Sequence, residues 1–237
     1  MASSSSDPEG RPAKRTKLDY LEDITVLVGP DEKRYVVHKN LVCDNSSFFR
    51  AACNGDWKET KEKVVRLPEV DPDIFANYLG WIYTGELDVR DASSVASAPK
   101  YHDNMPVKEQ TVLEIRTVDT YAFGDMVQDV RFCNTVVDEL KRLVEDTKSI
   151  PAMSSVEHLY ERVHRKSGFM RLWVDYYAFD HKPDQFAREE AGLPASFVFD
   201  IAHACIKRQG TPLASQKPFN RPKCFYHKHI DDSDKCV

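Results

Sequence analysis

Hydrophobic and polar positions change period several times along this chain, and each change marks an element. "DITVLV" from Asp23 is a β-branched run that stops at Gly29 and Pro30, and "EKRYVVHK" (32–39) is a second such run. Together they predict a hairpin. "NLVCDNSSFFRAACNG" (40–55) then shifts to two short helical turns, with Ser46 as N-cap of the second and Gly55 as its stop. "KVVRLPEV" (63–70) is a third strand. Asp71 and Pro72 supply a cap and a first helical residue; Ile74, Phe75, Tyr78, Leu79 and Ile82 follow at three-to-four spacing, and Gly85 ends the helix.

Periodicity is lost over 91–110, where Ser, Ala, Pro and Asn predict a loop or insertion. Ile115, Val118, Ala122, Met126, Val130, Cys133, Val137, Leu140 and Val144 restore helical spacing and predict two helices broken near Gly124. A largely helical segment runs from 154 to about 208, and the chain turns polar and Pro-rich from Gly210. Strands followed by helices, without βαβ alternation, give an α+β fold class. The expected organisation is a disordered tail (1–19), a mixed domain (20–145), a helical extension (152–209) and a polar tail (210–237).

Composition narrows the function. The chain has 237 residues, 41% hydrophobic, enough to bury a sizeable core. Its net charge of −5 argues against direct binding of nucleic acid. "MASSSSDPEG" lacks the apolar region of a secretory signal, and no apolar run reaches the roughly 20 residues that span a bilayer. The six cysteines sit mostly in apolar-periodic segments, as reduced thiols do, so an intracellular protein is expected, nuclear or cytoplasmic, without membrane attachment. Lys14, Arg15 and Lys17 in "PAKRTKLD" form a basic motif of the kind an importin groove reads in nuclear import; the bland alternative is a solvated basic cluster.

Candidate chemistry is sparse. Cys224, His227, His229 and Cys236 fall within one short stretch, and two thiolates with two imidazoles can hold a structural zinc ion. Their spacing fits no common finger, so a polar tail with incidental Cys and His stands beside the metal reading. His203 and Cys205 lie two apart on a helix and do not face each other. The aromatic run at 169–179 has the spacing of a core helix, on which the extension docks. No Gly-rich phosphate loop, G-x-S-x-G or His-Glu-x-x-His motif is present, and no enzyme is expected.

Several blocks in order resemble a BTB/POZ domain: "DITVLV", "YVVHKNLVCDNSSFF", Trp57 with Glu59, "VVRLPEVDPDIFANYLGWIYTGEL" and "YAFGDMVQDVRFCNTVVDEL". The helical extension looks like that of compact stand-alone BTB proteins of filamentous fungi. The resemblance implies a small three-stranded sheet flanked by helices. It makes His38 a structural residue where the second strand enters the first helix, and Asp23 with Lys39 a partly buried charged pocket. The implied function is protein–protein interaction, assembling with itself or another BTB protein, with a cullin-type ubiquitin-ligase adaptor as the alternative. Cullin-binding members carry an apolar-x-Glu motif, whose nearest match here is Val112-Leu113-Glu114.

Overall fold

A computed structural model describes residues 22–54, 63–90, 101–103, 105–180 and 193–229. Strands β1 (Asp23–Val28), β2 (Lys33–His38) and β3 (Val64–Leu67) form one sheet in the order β2-β1-β3. β1 and β2 pair antiparallel with Asp23 opposite His38, and β3 runs parallel to β1 with Thr25 opposite Val64. Ile24, Val26 and Val28 alternate onto the buried face, as a half-buried strand requires.

Helices α1 (Lys39–Asn45), α2 (Ser47–Asn54) and α3 (Pro72–Thr84) follow their sequence signals. Ser46 Oγ accepts the Phe49 N–H at 3.1 Å and donates to the Val127 carbonyl at 2.5 Å, so one hydroxyl caps α2 and ties it to a distant turn. Gly55, Trp57 and Glu59 lie outside the described residues. Asp71 Oδ1 accepts the Asp73 N–H at 2.7 Å, and Gly85 ends α3 at φ 80°. Ile74, Phe75, Tyr78 and Trp81 are buried, while Leu79 and Ile82 pack at the margin of the core.

Helix α4 (Val107–Met126) begins inside the segment expected to be a loop, of which 91–100 and 104 lie outside the described residues. The break before α5 (Val130–Thr147) falls at Val127–Asp129 rather than at Gly124. Gly124 is helical and permits close packing: a Cβ there would lie 2.8 Å from Phe132 Cδ1 and 3.0 Å from Cys133 Sγ. Asp129 makes the break by capping α5, accepting the Phe132 N–H at 2.9 Å. It also accepts from the Tyr78 hydroxyl at 3.1 Å. Burial pushes its carboxyl above the ordinary carboxylate range against these two hydrogen bonds.

A 3₁₀ turn (Met153–Ser155) leads to α6 (Val156–Arg162), α7 (Gly168–Phe179), α8 (Ala195–Lys207) and the short α9 (Leu213–Gln216). Leu172, Trp173, Tyr176 and Tyr177 of α7 are buried, so the aromatic run is core. Within the segment expected to be a polar tail, the described residues 210–229 fold back through turns at Pro218–Asn220 and Lys223–Tyr226. Tyr226, 1% exposed, anchors it: its hydroxyl donates to Asp175 Oδ2 at 2.7 Å, and Arg208 reaches the same oxygen at 2.8 Å. One continuous core runs from Ile24 to Tyr226. Among the described residues no helix is long and apolar enough to cross a membrane.

Candidate functional site

The sheet register decides the charged pair. Because Asp23 pairs with His38, the next rung sets Glu22 against Lys39, and the Lys39 N–H donates to the Glu22 carbonyl at 2.9 Å. The Lys39 ammonium accordingly bonds Glu22 Oε2 at 3.1 Å, not Asp23. That hydrogen bond holds the Glu22 carboxyl below its ordinary range and pushes the Lys39 ammonium up. Asp23 faces His38 instead, 3.9 Å from Nε2, and is exposed. The expected Asp23–Lys39 pocket is thus replaced by two ladder-edge pairs. His38 Nδ1 lies 2.7 Å from the Tyr83 hydroxyl, a contact bridging the end of β2 to α3. Tyr83 is a partner that helical periodicity could not single out. Cys43 is buried in α1, with its thiol directed at the Phe49 carbonyl at 3.5 Å.

Glu114 settles the apolar-x-Glu match. The residue is 1% exposed and accepts three hydrogen bonds, from Gln110 Nε2 (2.8 Å), Ser155 Oγ (2.7 Å) and the Ala152 N–H (3.0 Å). It fastens the 152–155 turn to α4 and is closed to a partner protein. Burial raises its carboxyl above the ordinary range, with the three donors pulling the other way. Around it, Tyr121 stacks on Phe169 with centroids 4.4 Å apart, and Asp119 meets His158 at 2.8 Å and Arg162 at 3.0 Å. The extension is therefore docked along α4 by both apolar and polar contacts.

Exposed apolar surface concentrates on α8. Phe197 is its one buried residue among those described, and it meets Tyr160 and Tyr177 edge-on. The opposite side presents Phe199 (66% exposed) and Ile206 (71% exposed), Val198 is exposed on the flank, and Leu213 is close behind in sequence. Helical spacing puts Phe199, Ala202 and Ile206 on one stripe. Beside α8, an open cleft is lined by Arg165, Lys166, Arg171, Arg208 and Arg221 with Asp175 and Asp200. Its cations are largely committed: Arg165 bonds Asp200 at 2.6 Å, Arg208 bonds Asp175, and Arg171, Arg208 and Arg221 stack on Phe225.

Of the four metal-type residues, the structure brings three together. One donor atom each from Cys224, His227 and His229 lies within 4.8 Å of the others. Cys236 lies outside the described residues, as do Lys14, Arg15 and Lys17. His227 Nε2 sits 3.0 Å from Asp138 Oδ1 on α5, a partner that sequence spacing gave no means of finding.

Comparison with known proteins places this architecture. The BTB/POZ domain model matches residues 15–116. Kelch-like protein 40 of Xenopus laevis is 33% identical over 85 residues, covering 34% of this chain and 14% of that protein. BTB/POZ domain-containing protein 3 of Homo sapiens is 33% identical over 88 residues, covering 35% and 17%. Trishanku of Dictyostelium discoideum is 30% identical over 101 residues, covering 42% and 14%. The chain thus spans less than a fifth of the length of these relatives. Its first half carries a BTB/POZ domain, built on the β2-β1-β3 sheet and joined to a helical extension.

Proposed function

We propose that this chain is a protein-interaction module that assembles with a second copy of itself or with another BTB/POZ chain. The observation that carries this reading is the BTB/POZ match over residues 15–116. The apolar stripe of α8 supports it, because contiguous apolar side chains left in water are stabilised by burial against a complementary surface. The occupant assigned to that stripe is the partner BTB/POZ chain. The division into a basic tail (1–19), domain (20–145), helical extension (152–209) and C-terminal segment (210–237) belongs to the same proposal. So does the likeness to compact fungal BTB proteins. In the same scheme Lys14, Arg15 and Lys17 serve as an importin-binding motif, which supports a nuclear location beside the cytoplasmic one.

The second reading is a cullin-ligase adaptor. With Glu114 buried, cullin contact would use the exposed run Tyr83–Glu86 and the exposed residues Asp125 and Met126 at the end of α4 and Gln128 in the turn before α5. Light scattering after size exclusion, on the chain alone and mixed with the N-terminal half of a cullin, separates the two. Assembly without cullin binding supports the interaction module alone. A complex of one cullin per chain, lost on Met126→Glu, makes the adaptor reading primary.

A further inference from the structure

Residues 223–229 bring three metal-binding side chains to one place, and the surrounding fold holds them there. The Lys223–Tyr226 turn is closed by the His227 N–H donating to the Cys224 carbonyl at 3.1 Å, which brings the two residues of the Cys-x-x-His step close. The next residue is clamped by α5: Asn134 Nδ2 donates to the Lys228 carbonyl at 2.8 Å, and Asn134 Oδ1 accepts the Lys228 N–H at 2.9 Å. That clamp fixes the backbone between the two histidines, whose ring centroids are 6.2 Å apart. On the other side, Tyr226 is locked to α7 through Asp175.

The donors are already near a binding geometry. In a tetrahedral zinc site, bonds of about 2.0–2.3 Å put the donor atoms roughly 3.5 Å apart. The three here lie within 4.8 Å of one another, so side-chain rotation of about an ångström closes the set. The His227–Asp138 contact is a second, independent sign. A carboxylate against one imidazole nitrogen orients the ring, the usual outer-shell arrangement of metal-bound histidine. The His227 side chain is 3% exposed, so its orientation is set by packing.

We propose that Cys224, His227 and His229 bind a zinc ion that fastens the C-terminal segment to α5 and α7. One thiolate and two imidazoles suit a borderline ion, whereas magnesium and calcium take oxygen donors. As the S–Zn bond forms, the thiol proton is released to solvent.

The test uses the tag-free full chain. Elemental analysis should find one zinc per chain, removable by a chelator. Cobalt added to the chelated protein should give tetrahedral ligand-field absorption with a thiolate-to-cobalt charge-transfer band, both bleached by zinc. Cys224→Ser should lose the charge-transfer band, and His229→Ala the stoichiometric zinc. Cys205→Ser, a change at an exposed cysteine on α8, should keep both signals. Asp138→Asn should bind zinc about 10–100-fold more weakly. A chain that takes up neither metal overturns the proposal, as does undiminished zinc in both ligand variants. If Cys224→Ser fails to fold, the cobalt spectrum of the unaltered chain and of Cys205→Ser decides.

Discussion

Replacing Gly168 by alanine tests whether the C-terminal segment is packed on α7. Gly168 opens that helix, and a Cβ built there would lie 1.8 Å from the Tyr226 carbonyl oxygen and 2.7 Å from its carbon. Carbon–oxygen contacts relax at roughly 3.3 Å, so the Tyr226 backbone must retreat by about 1.5 Å. Both partners are main chain or directly attached to it, and no rotamer relieves the clash. A shift of that size breaks the 2.7 Å Tyr226–Asp175 bond and loosens a tyrosine that is 1% exposed. Overpacking costs about 1–3 kcal/mol and a lost buried hydrogen bond about 1–3 more. The better helix propensity of alanine offsets up to about 1 kcal/mol. The net expectation is a loss of about 1–6 kcal/mol. Gly80→Ala is the matched control: Gly80 is an exposed residue inside α3 with nothing within 4 Å of its added Cβ, and it should gain about 0.5–1 kcal/mol. Urea midpoints at an unchanged m-value read both. A Gly168→Ala chain as stable as the unaltered one would refute the packing of residues 223–229 on α7.

The buried polar groups and the sheet edge give four more expectations. Glu114→Ala strands the Gln110, Ser155 and Ala152 donors and should cost about 3 kcal/mol or more in thermal or urea unfolding. Glu114→Gln should instead change the pH profile. Because burial raises the folded carboxyl, its proton-linked stability is fully present below the ordinary value near 4.5 and is lost as pH rises through the raised value. Subtracting the Glu114→Gln profile from the unaltered one should isolate that fall, and a flat difference would contradict it. Asp129→Ala removes the α5 cap and the Tyr78 partner and should destabilise by about 2–4 kcal/mol, whereas Asp129→Asn, which keeps a cap acceptor, should lose clearly less. Glu22→Gln should leave the melting temperature nearly unchanged, since the Lys39–Glu22 pair is at the surface; a large drop would mean that the pair is sequestered after all.

The elements with local punctuation were legible in the sequence. Helix α3 could be read from Asp71, Pro72 and Gly85 because cap, first turn and stop are each encoded by one residue's backbone chemistry. The hairpin was readable for the same reason. The first two turns of helix α4 were not, since the helix buries Gln110, Glu114, Thr117 and Thr120 among its apolar residues. Thr117 and Thr120 satisfy their hydroxyls on carbonyls four residues back, at 2.6 and 2.7 Å, so polar letters there do not mean solvent. Gly124 misled as a breaker because it serves close packing against Phe132, while the break itself is made by Asp129.

The site was legible in its residue types and not in its pairings. Lys39 meets Glu22 rather than Asp23 because the antiparallel register places the next rung there, a fact one residue wide. The Cys-His candidates stood out by their crowding in one short stretch, but Asp138 and Asn134 reach it from 89 and 94 residues away in sequence. Tyr226 falls in the segment that the sequence marks as polar. It becomes an anchor only because Asp175 is buried opposite it.

Sedimentation velocity over a wide concentration range tests most directly whether this chain works by assembly. The tag-free chain has a monomer mass of 27.2 kDa. Association through α8 predicts a heavier, concentration-dependent species, alone or with a second BTB/POZ chain. Phe199→Glu with Ile206→Glu should return it to the monomer without changing the far-ultraviolet circular dichroism. A monomer at every concentration, alone and in the mixture, and unaltered by that double substitution, would contradict it.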